Sequence, residues 1–155
     1  MKLNLGCSDR RIEGYVGVDI APPADQIVDL AGPWPWPDSS VDEIIAQDVF
    51  EHLPDKRHTL NEAWRVLRNG GVIHIGVPDA TDGDGGFCDP THRSYWTGSD
   101  FEYFEKGDFA RERFRLSSYY GINADFIVKG FLKLRHQRKR GYSVEIKVDL
   151  IAVKS

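Results

Sequence analysis

Two cysteines in 155 residues, Cys7 and Cys88, are too few for a disulfide framework, and a reducing cytoplasm is the expected compartment. No apolar run approaches the roughly 18 residues of a membrane-spanning helix, so no membrane segment is expected. The full GxGxxG fingerprint of dinucleotide binding is missing, which argues against a nicotinamide-dependent oxidoreductase. Internal repeats and low-complexity linkers are also absent, so a single domain over 1–155 is expected. At this length folding buries roughly 70% of the unfolded chain's surface, enough for one core. The net charge of −4 is small but unevenly spread. Met1 to Ala110 holds 20 acidic and 9 basic residues, whereas Arg111 to Ser155 holds 4 acidic and 11 basic. An acidic front suits a cationic ligand. A basic tail suits an anionic substrate, a nucleic acid or the acidic front of a second copy, which makes a homodimer plausible.

What is present is a series of short apolar segments. Lys2 to Leu5, Tyr15 to Asp19, Ile27 to Leu30, Val41 to Gln47 and Val72 to Val77 read as strands, the last ended by Pro78. Pro54 and Asp55 start a helix in which Leu60, Ala63, Trp64 and Leu67 share one face, and Asn69-Gly70-Gly71 stops it. Gly98 to Phe109 reads as a second helix, and Arg111 to Gly121 is ambiguous. Ala124 to Arg135 and Tyr142 to Val153 read as strands joined by a turn too short for a parallel crossover, hence an antiparallel hairpin. Only eight residues separate Gly6 from Tyr15, and six separate Ile20 from Ile27. A βαβ crossover needs about a dozen, so the helices expected there are missing or cut to single turns. Val144, Ile146, Val148, Leu150 and Ala152 alternate with polar residues, and His74, Lys2 and Asn4 interrupt their strands in the same way. The pattern predicts a sheet with one well-covered face and one partly bare face.

The opening stretch sets the expectation for function. A strand, a glycine turn at Gly6, a second strand and a terminal Asp19 make the nucleotide-binding half of an α/β fold, the Asp holding a ribose diol. Leu3-Asn4-Leu5-Gly6-Cys7-Ser8, Val18-Asp19-Ile20, Asp29-Leu30, Trp36-Pro37-Asp38-Ser39-Ser40-Val41-Asp42, Phe50-Glu51-His52-Leu53 and Arg65-Val66-Leu67-Arg68-Asn69-Gly70-Gly71 follow in order. Together they resemble the motifs of the class I S-adenosylmethionine-dependent methyltransferases. Asn4 stands where the family usually has an acid, and Ser8 where its second glycine usually sits. The resemblance implies an α/β Rossmann-like methyltransferase fold. Its sheet is seven-stranded and mostly parallel, with a C-terminal antiparallel hairpin and reduced helices on one face. It also implies S-adenosylmethionine as cofactor and methyl transfer to a small-molecule acceptor.

The same resemblance implies a cofactor site. Gly6 and the backbone of Leu5 and Cys7 lie against the methionine half, as does Gln47 at the end of the fourth strand. Asp19 takes the ribose hydroxyls, Ile20 and Leu30 enclose the adenine, and Asp29 accepts from its amine. The bland alternative is that Asp19 and Asp29 only cap strand ends. For the acceptor, the loop after the fifth strand opens at the sheet's carboxyl edge, where ligands of open α/β sheets bind. There His92 is the candidate base, and Asp89 orients it. Arg93 suits a carboxylate or phosphate, Tyr95 and Trp96 an apolar wall, and His52 a place beside the donor. His52 and His92 serve equally well as ties within their loops. Cys88, Asp89 and His92 have metal-ligand chemistry, but no second Cys/His pair accompanies them and Pro90 breaks any helical register, so no metal is expected. The basic residues of the last hairpin lack interleaved aromatics, which argues against single-stranded nucleic acid. The rival from another class is a non-catalytic module that keeps the fold and the pocket.

Overall fold

The computed structural model describes residues 1–106, 121–137 and 141–154. Seven strands form one sheet: β1 (Lys2–Leu5), β2 (Val16–Asp19), β3 (Gln26–Ile27), β4 (Val41–Gln47), β5 (Leu67–Gly83), β6 (Phe126–Gln137) and β7 (Tyr142–Ala152). Their order is β3-β2-β1-β4-β5-β7-β6. The first five strands are parallel, and β7 runs antiparallel to both β5 and β6. The expected sheet and its terminal hairpin are therefore present. The order reverses between β1 and β4, the switch point at which a crevice opens beyond the strand ends.

Alternation along the strands separates the two faces. Leu3, Leu5, Val18, Ile44, Ala46, Ile73, Ile75, Val77, Ile146, Val148 and Leu150 all point to one side and are buried. Helix α1 (Lys56–Val66) covers that side with Leu60, Ala63 and Val66. Its start is set by Asp55, whose Oδ1 accepts from the backbone N–H groups of Arg57 (2.9 Å) and His58 (3.1 Å). The Pro-Trp-Pro-Trp-Pro loop joins the same core through Trp34 and Trp36, which meet edge to face at 5.7 Å. Arg65 on α1 holds that loop through Glu62, Asp38 and the carbonyls of Trp34 and Trp36.

The opposite face, among the described residues, is held together by polar side chains. Glu43 is its hub: it accepts from the Tyr15 hydroxyl (2.5 Å) and pairs with Lys2 (2.6 Å) and His74 (3.3 Å). His74 in turn meets Asp149 at 2.7 Å, and Gln47 donates to Glu145 at 2.7 Å. Strands β1, β4, β5 and β7 and the residue that precedes β2 are thus linked by side chains that satisfy one another, so this face needs fewer apolar neighbours. Asn4 belongs to it as well. Its amide donates to the Arg10 carbonyl at 2.9 Å, tying down the helix-free connection from β1 to β2. An ionised acid there has no proton to donate, which accounts for an amide at that position.

Three expectations need correction. Strand β5 does not stop at Pro78 but runs to Gly83, because Pro78 pairs opposite Glu145 of β7. The helix ends at Val66, before Asn69-Gly70-Gly71, so Leu67 opens β5, and the three residues lie within that strand at a register irregularity, with Gly70 at φ +75°. The third strand is only two residues long, so Val28 to Leu30 are loop. The second helix, α2 (Gly98–Glu102), is short, and the remainder of the expected helix beyond Lys106 lies outside the described residues, as does most of the segment 111–121.

The ion pairs and hydrogen bonds from Lys2 and Tyr15 hold the Glu43 carboxyl below the usual range, against the opposing effect of burial. Its contribution to stability is therefore present above the unfolded value and is lost as pH falls through the lower folded value. Glu43→Gln is expected to lose about 1–2 kcal/mol at pH 7, and the gap to the parent should narrow below pH ~4. Urea unfolding at the two pH values checks this. An equal loss at both would show that the ionised hub does not hold the bare face.

Candidate functional site

The switch-point crevice is a cleft of about 350 Å³. It is walled by Gly6 after β1, Asp19 and Ile20 at the end of β2, Val28 to Ala31 beyond β3, Asp48, Val49, His52 and Leu53 after β4, and Arg93. Gly6 has φ +60°, and a Cβ there would overlap the Val49 side chain, so the turn requires glycine. The chain then reaches Ser8, which adopts the left-handed conformation, φ +46°, in place of a second glycine. Its N–H donates to Asp19 Oδ2 at 2.8 Å. The Ile20 N–H donates to Asp19 Oδ1 at 2.7 Å. The carboxylate is thereby fixed at the strand end with lone pairs left for a ligand.

The rest of the cleft suits a flat ring beside a polar ribose. Ile20 is 69% exposed, an apolar side chain with no core to join, and it shares the cleft with Val28, Leu30 and Ala31. Asp29 Oδ1 accepts from the Ala31 N–H at 2.9 Å, which leaves the second oxygen for a donor. Asp19, Asp29 and Asp48 give the walls an acidic character that suits a cation. Leu5 and Cys7 bury their side chains under the cleft floor, where burial pushes the Cys7 thiol up. Only their backbone is available to a ligand. Gln47 does not line the cleft: its amide lies over Gly76 and bonds Glu145 on the bare face.

A second pocket, about 520 Å³, adjoins the first and shares Asp48 and His52 with it. Asp48 turns the chain out of β4 at φ +55°, its N–H donating to the Gly76 carbonyl at 2.9 Å. The turn Phe50–His52 follows. The loop after β5 is fastened to this turn: the N–H groups of Arg93 (2.7 Å) and Ser94 (3.0 Å) donate to the Glu51 carbonyl, and Ser94 Oγ donates to the Phe50 carbonyl at 3.0 Å. Those bonds bring His52 and His92 together, ring centres 5.0 Å apart. His92 Nδ1 lies 2.8 Å from the Gly86 carbonyl, which can only accept, so Nδ1 carries the proton and Nε2 offers a lone pair. Asp89 Oδ2 is 3.9 Å from that Nε2.

Four of the six acceptor candidates therefore gather at or between the two pockets: His92 and Asp89 in the second, Arg93 in the first, His52 in both. Two do not. Trp96 is 1% exposed, packed on Phe50 and Phe101, with its indole N–H donating to Ser94 Oγ. It is core and offers no surface to a substrate. Tyr95 stacks on Phe87 at 4.4 Å outside both pockets. The sequence reading also passed over Glu51 and Asp48. Glu51 is 2% exposed, and burial, aided by nearby Asp48, Asp89 and Glu145, pushes its carboxyl up to about 8. The signal was the adjacent acid and imidazole in Phe50-Glu51-His52-Leu53, of which only the imidazole was taken up.

The profile of the family described as "Methyltransferase domain" matches residues 5–75, the stretch that supplies every wall of the first cleft but Arg93. Among curated relatives, a protein named as a probable S-adenosylmethionine-dependent methyltransferase of Mycolicibacterium smegmatis is 44% identical over 45 residues, covering 29% of this chain and 18% of its own length. The sarcosine/dimethylglycine N-methyltransferase of Halorhodospira halochloris is 37% identical over 75 residues, covering 48% of this chain and 26% of its own. The chain thus spans well under a third of the length of either. Among solved structures, the YcgJ protein of Bacillus subtilis aligns over 99% of this chain and 92% of its own, with a TM-score of 0.65 at 12% identity. The family match covers residues 5–75, under half of the chain, and the fold shared with the solved structures covers nearly all of it.

Proposed function

We propose that this protein transfers a methyl group from S-adenosylmethionine to a small-molecule acceptor held in the pocket between the turn after β4 and the loop after β5. The observation that carries the reading is Asp19, locked by two backbone N–H groups at the end of β2 and facing the switch-point cleft. The cofactor, when bound, supplies an electrophilic methyl group on a sulfonium.

The protein's own task is alignment. Asp19 would accept from the ribose hydroxyls, and Ile20 and Leu30 would flank the adenine, with the free oxygen of Asp29 for its amine. Gly6 allows close backbone approach for the methionine half, and Asp48 adds negative charge where the two pockets meet. On the acceptor side, His92 presents Nε2 as a proton acceptor, and Asp89 favours the imidazolium that results. Arg93 and His52 would hold polar groups of the acceptor. The relative named for sarcosine and dimethylglycine is consistent with a small acceptor, for which the 520 Å³ pocket has room. Self-association remains our reading of the charge split, with a cytoplasmic setting. Among the described residues no helix is long and apolar enough to cross a membrane.

Calorimetric titration should give micromolar binding of S-adenosylhomocysteine, and Asp19→Ala should weaken it at least tenfold, since hydrogen bonds to a charged group contribute about 1.5–3 kcal/mol each. Unaltered binding in the folded variant would remove the carrying observation. His92→Ala should keep that affinity and lose methyl transfer in a small-molecule acceptor screen. Full transfer by the variant would contradict the role given to His92.

A further inference from the structure

We propose that Glu51, His52 and His92 form a binding site for a divalent transition-metal cation, of the class of Mn²⁺, Co²⁺ or Zn²⁺, in the pocket between the turn after β4 and the loop after β5. One ligand atom from each residue lies within 4.8 Å of the other two. Ligands sharing one tetrahedral ion at about 2.1 Å stand about 3.4 Å apart, so small side-chain rotations close the set. The three come from two segments already fastened together by the Glu51 and Phe50 carbonyls, so the arrangement does not depend on the ion to assemble it.

Two further observations point to a cation. The first is the way both imidazoles are held. His92 Nδ1 faces the Gly86 carbonyl at 2.8 Å, and His52 Nδ1 faces the Thr91 carbonyl at 3.3 Å. A ring N–H donated to a backbone carbonyl is the usual support of a metal-binding histidine, because it fixes the tautomer and leaves Nε2 for the ion. The second is Glu51 itself. Its carboxyl is buried, and its Oε2 has no hydrogen-bond partner. A buried polar atom left unpaired is destabilising, and an ion bound there would satisfy it. The surroundings agree: Asp48 and Asp89 line the same pocket, and no Lys or Arg is among its lining residues. Asp89 Oδ2, 3.9 Å from His92 Nε2, stands where a fourth ligand or a bound water would be held.

Two imidazoles with one carboxylate select against Mg²⁺ and Ca²⁺, which take oxygen ligands, and favour the first-row transition metals. Cys88, the residue that drew attention to metal chemistry in the sequence, is exposed and outside the trio. The partners of His92 are instead Glu51 and His52, about forty residues earlier. The site shares His52 and His92 with the acceptor pocket proposed above, and cation binding there does not itself require methyl transfer. Its consequence for catalysis rests on the function proposed above: an ion held by His92 would take over acceptor deprotonation by lowering the pKa of a bound hydroxyl.

The test uses Co²⁺ and Mn²⁺ with the intact protein. Co²⁺ should bind at one equivalent per chain with a visible d–d spectrum that a chelator abolishes, and Glu51→Gln, His52→Ala and His92→Ala should each weaken binding at least tenfold. S-adenosylhomocysteine affinity, measured in parallel, should persist in Glu51→Gln and His92→Ala, which separates loss of this site from failure of the cofactor reading. Substoichiometric Mn²⁺ added to the parent protein should broaden the ring resonances of His52 and His92 and spare those of His58, His74 and His136, a readout that needs no variant to fold. No saturable Co²⁺ binding to the folded parent, binding that survives in all folded variants, or broadening centred on His74 or His136 would each overturn the proposal.

Discussion

Eight residues between Gly6 and Tyr15 and six between Ile20 and Ile27 cannot build helices that cross a sheet, and the architecture follows from that shortage. A doubly wound sheet normally hides both faces under helices. Here, among the described residues, α1, the tryptophan loop and the aromatic cluster around Phe50, Trp96 and Phe101 cover one face. The other face pairs its own polar side chains around Glu43, from Tyr15 and Lys2 through His74 to Asp149. Single half-exposed pairs are worth little, but a shared carboxylate with three partners behaves as a network.

The same economy concentrates function in loops at one edge. With no crossover helix after β1, the turn at Gly6 and Ser8 must itself orient Asp19, and it does so with the Ser8 N–H. The departure from the family's second glycine therefore costs a strained φ rather than the site. The loop after β5 is likewise held by main-chain bonds to the turn after β4, so the second pocket and the cleft share walls and are positioned as one unit.

Strand identity and order were legible because period-2 alternation and ordered motifs carry them directly. The cleft residues Gly6, Asp19, Ile20, Asp29 and Leu30 were legible for a related reason: each sits in a motif at a strand end or in the loop just beyond it. Other features depend on partners far along the chain. Gln47 turns from the cleft because Glu145 and Gly76 receive it on the bare face, a pairing 98 residues apart. Trp96 reads as a loop aromatic, yet Ala80 N–H donates to its carbonyl at 2.8 Å, and that short pairing turns its ring into the core. Glu51 reads as an ordinary surface acid in a turn, and only the loop folded over it makes it a buried one. Pro78 fails as a strand terminator because β7 is its neighbour there.

The claim on which the rest depends is that this thin sheet retains a working S-adenosylmethionine cleft. Calorimetry of the intact protein with S-adenosylmethionine and NAD side by side addresses it without any variant. The account predicts saturable, equimolar heat with S-adenosylmethionine and none with NAD. A folded protein that gives no heat with S-adenosylmethionine, or that binds NAD in its place, would contradict it.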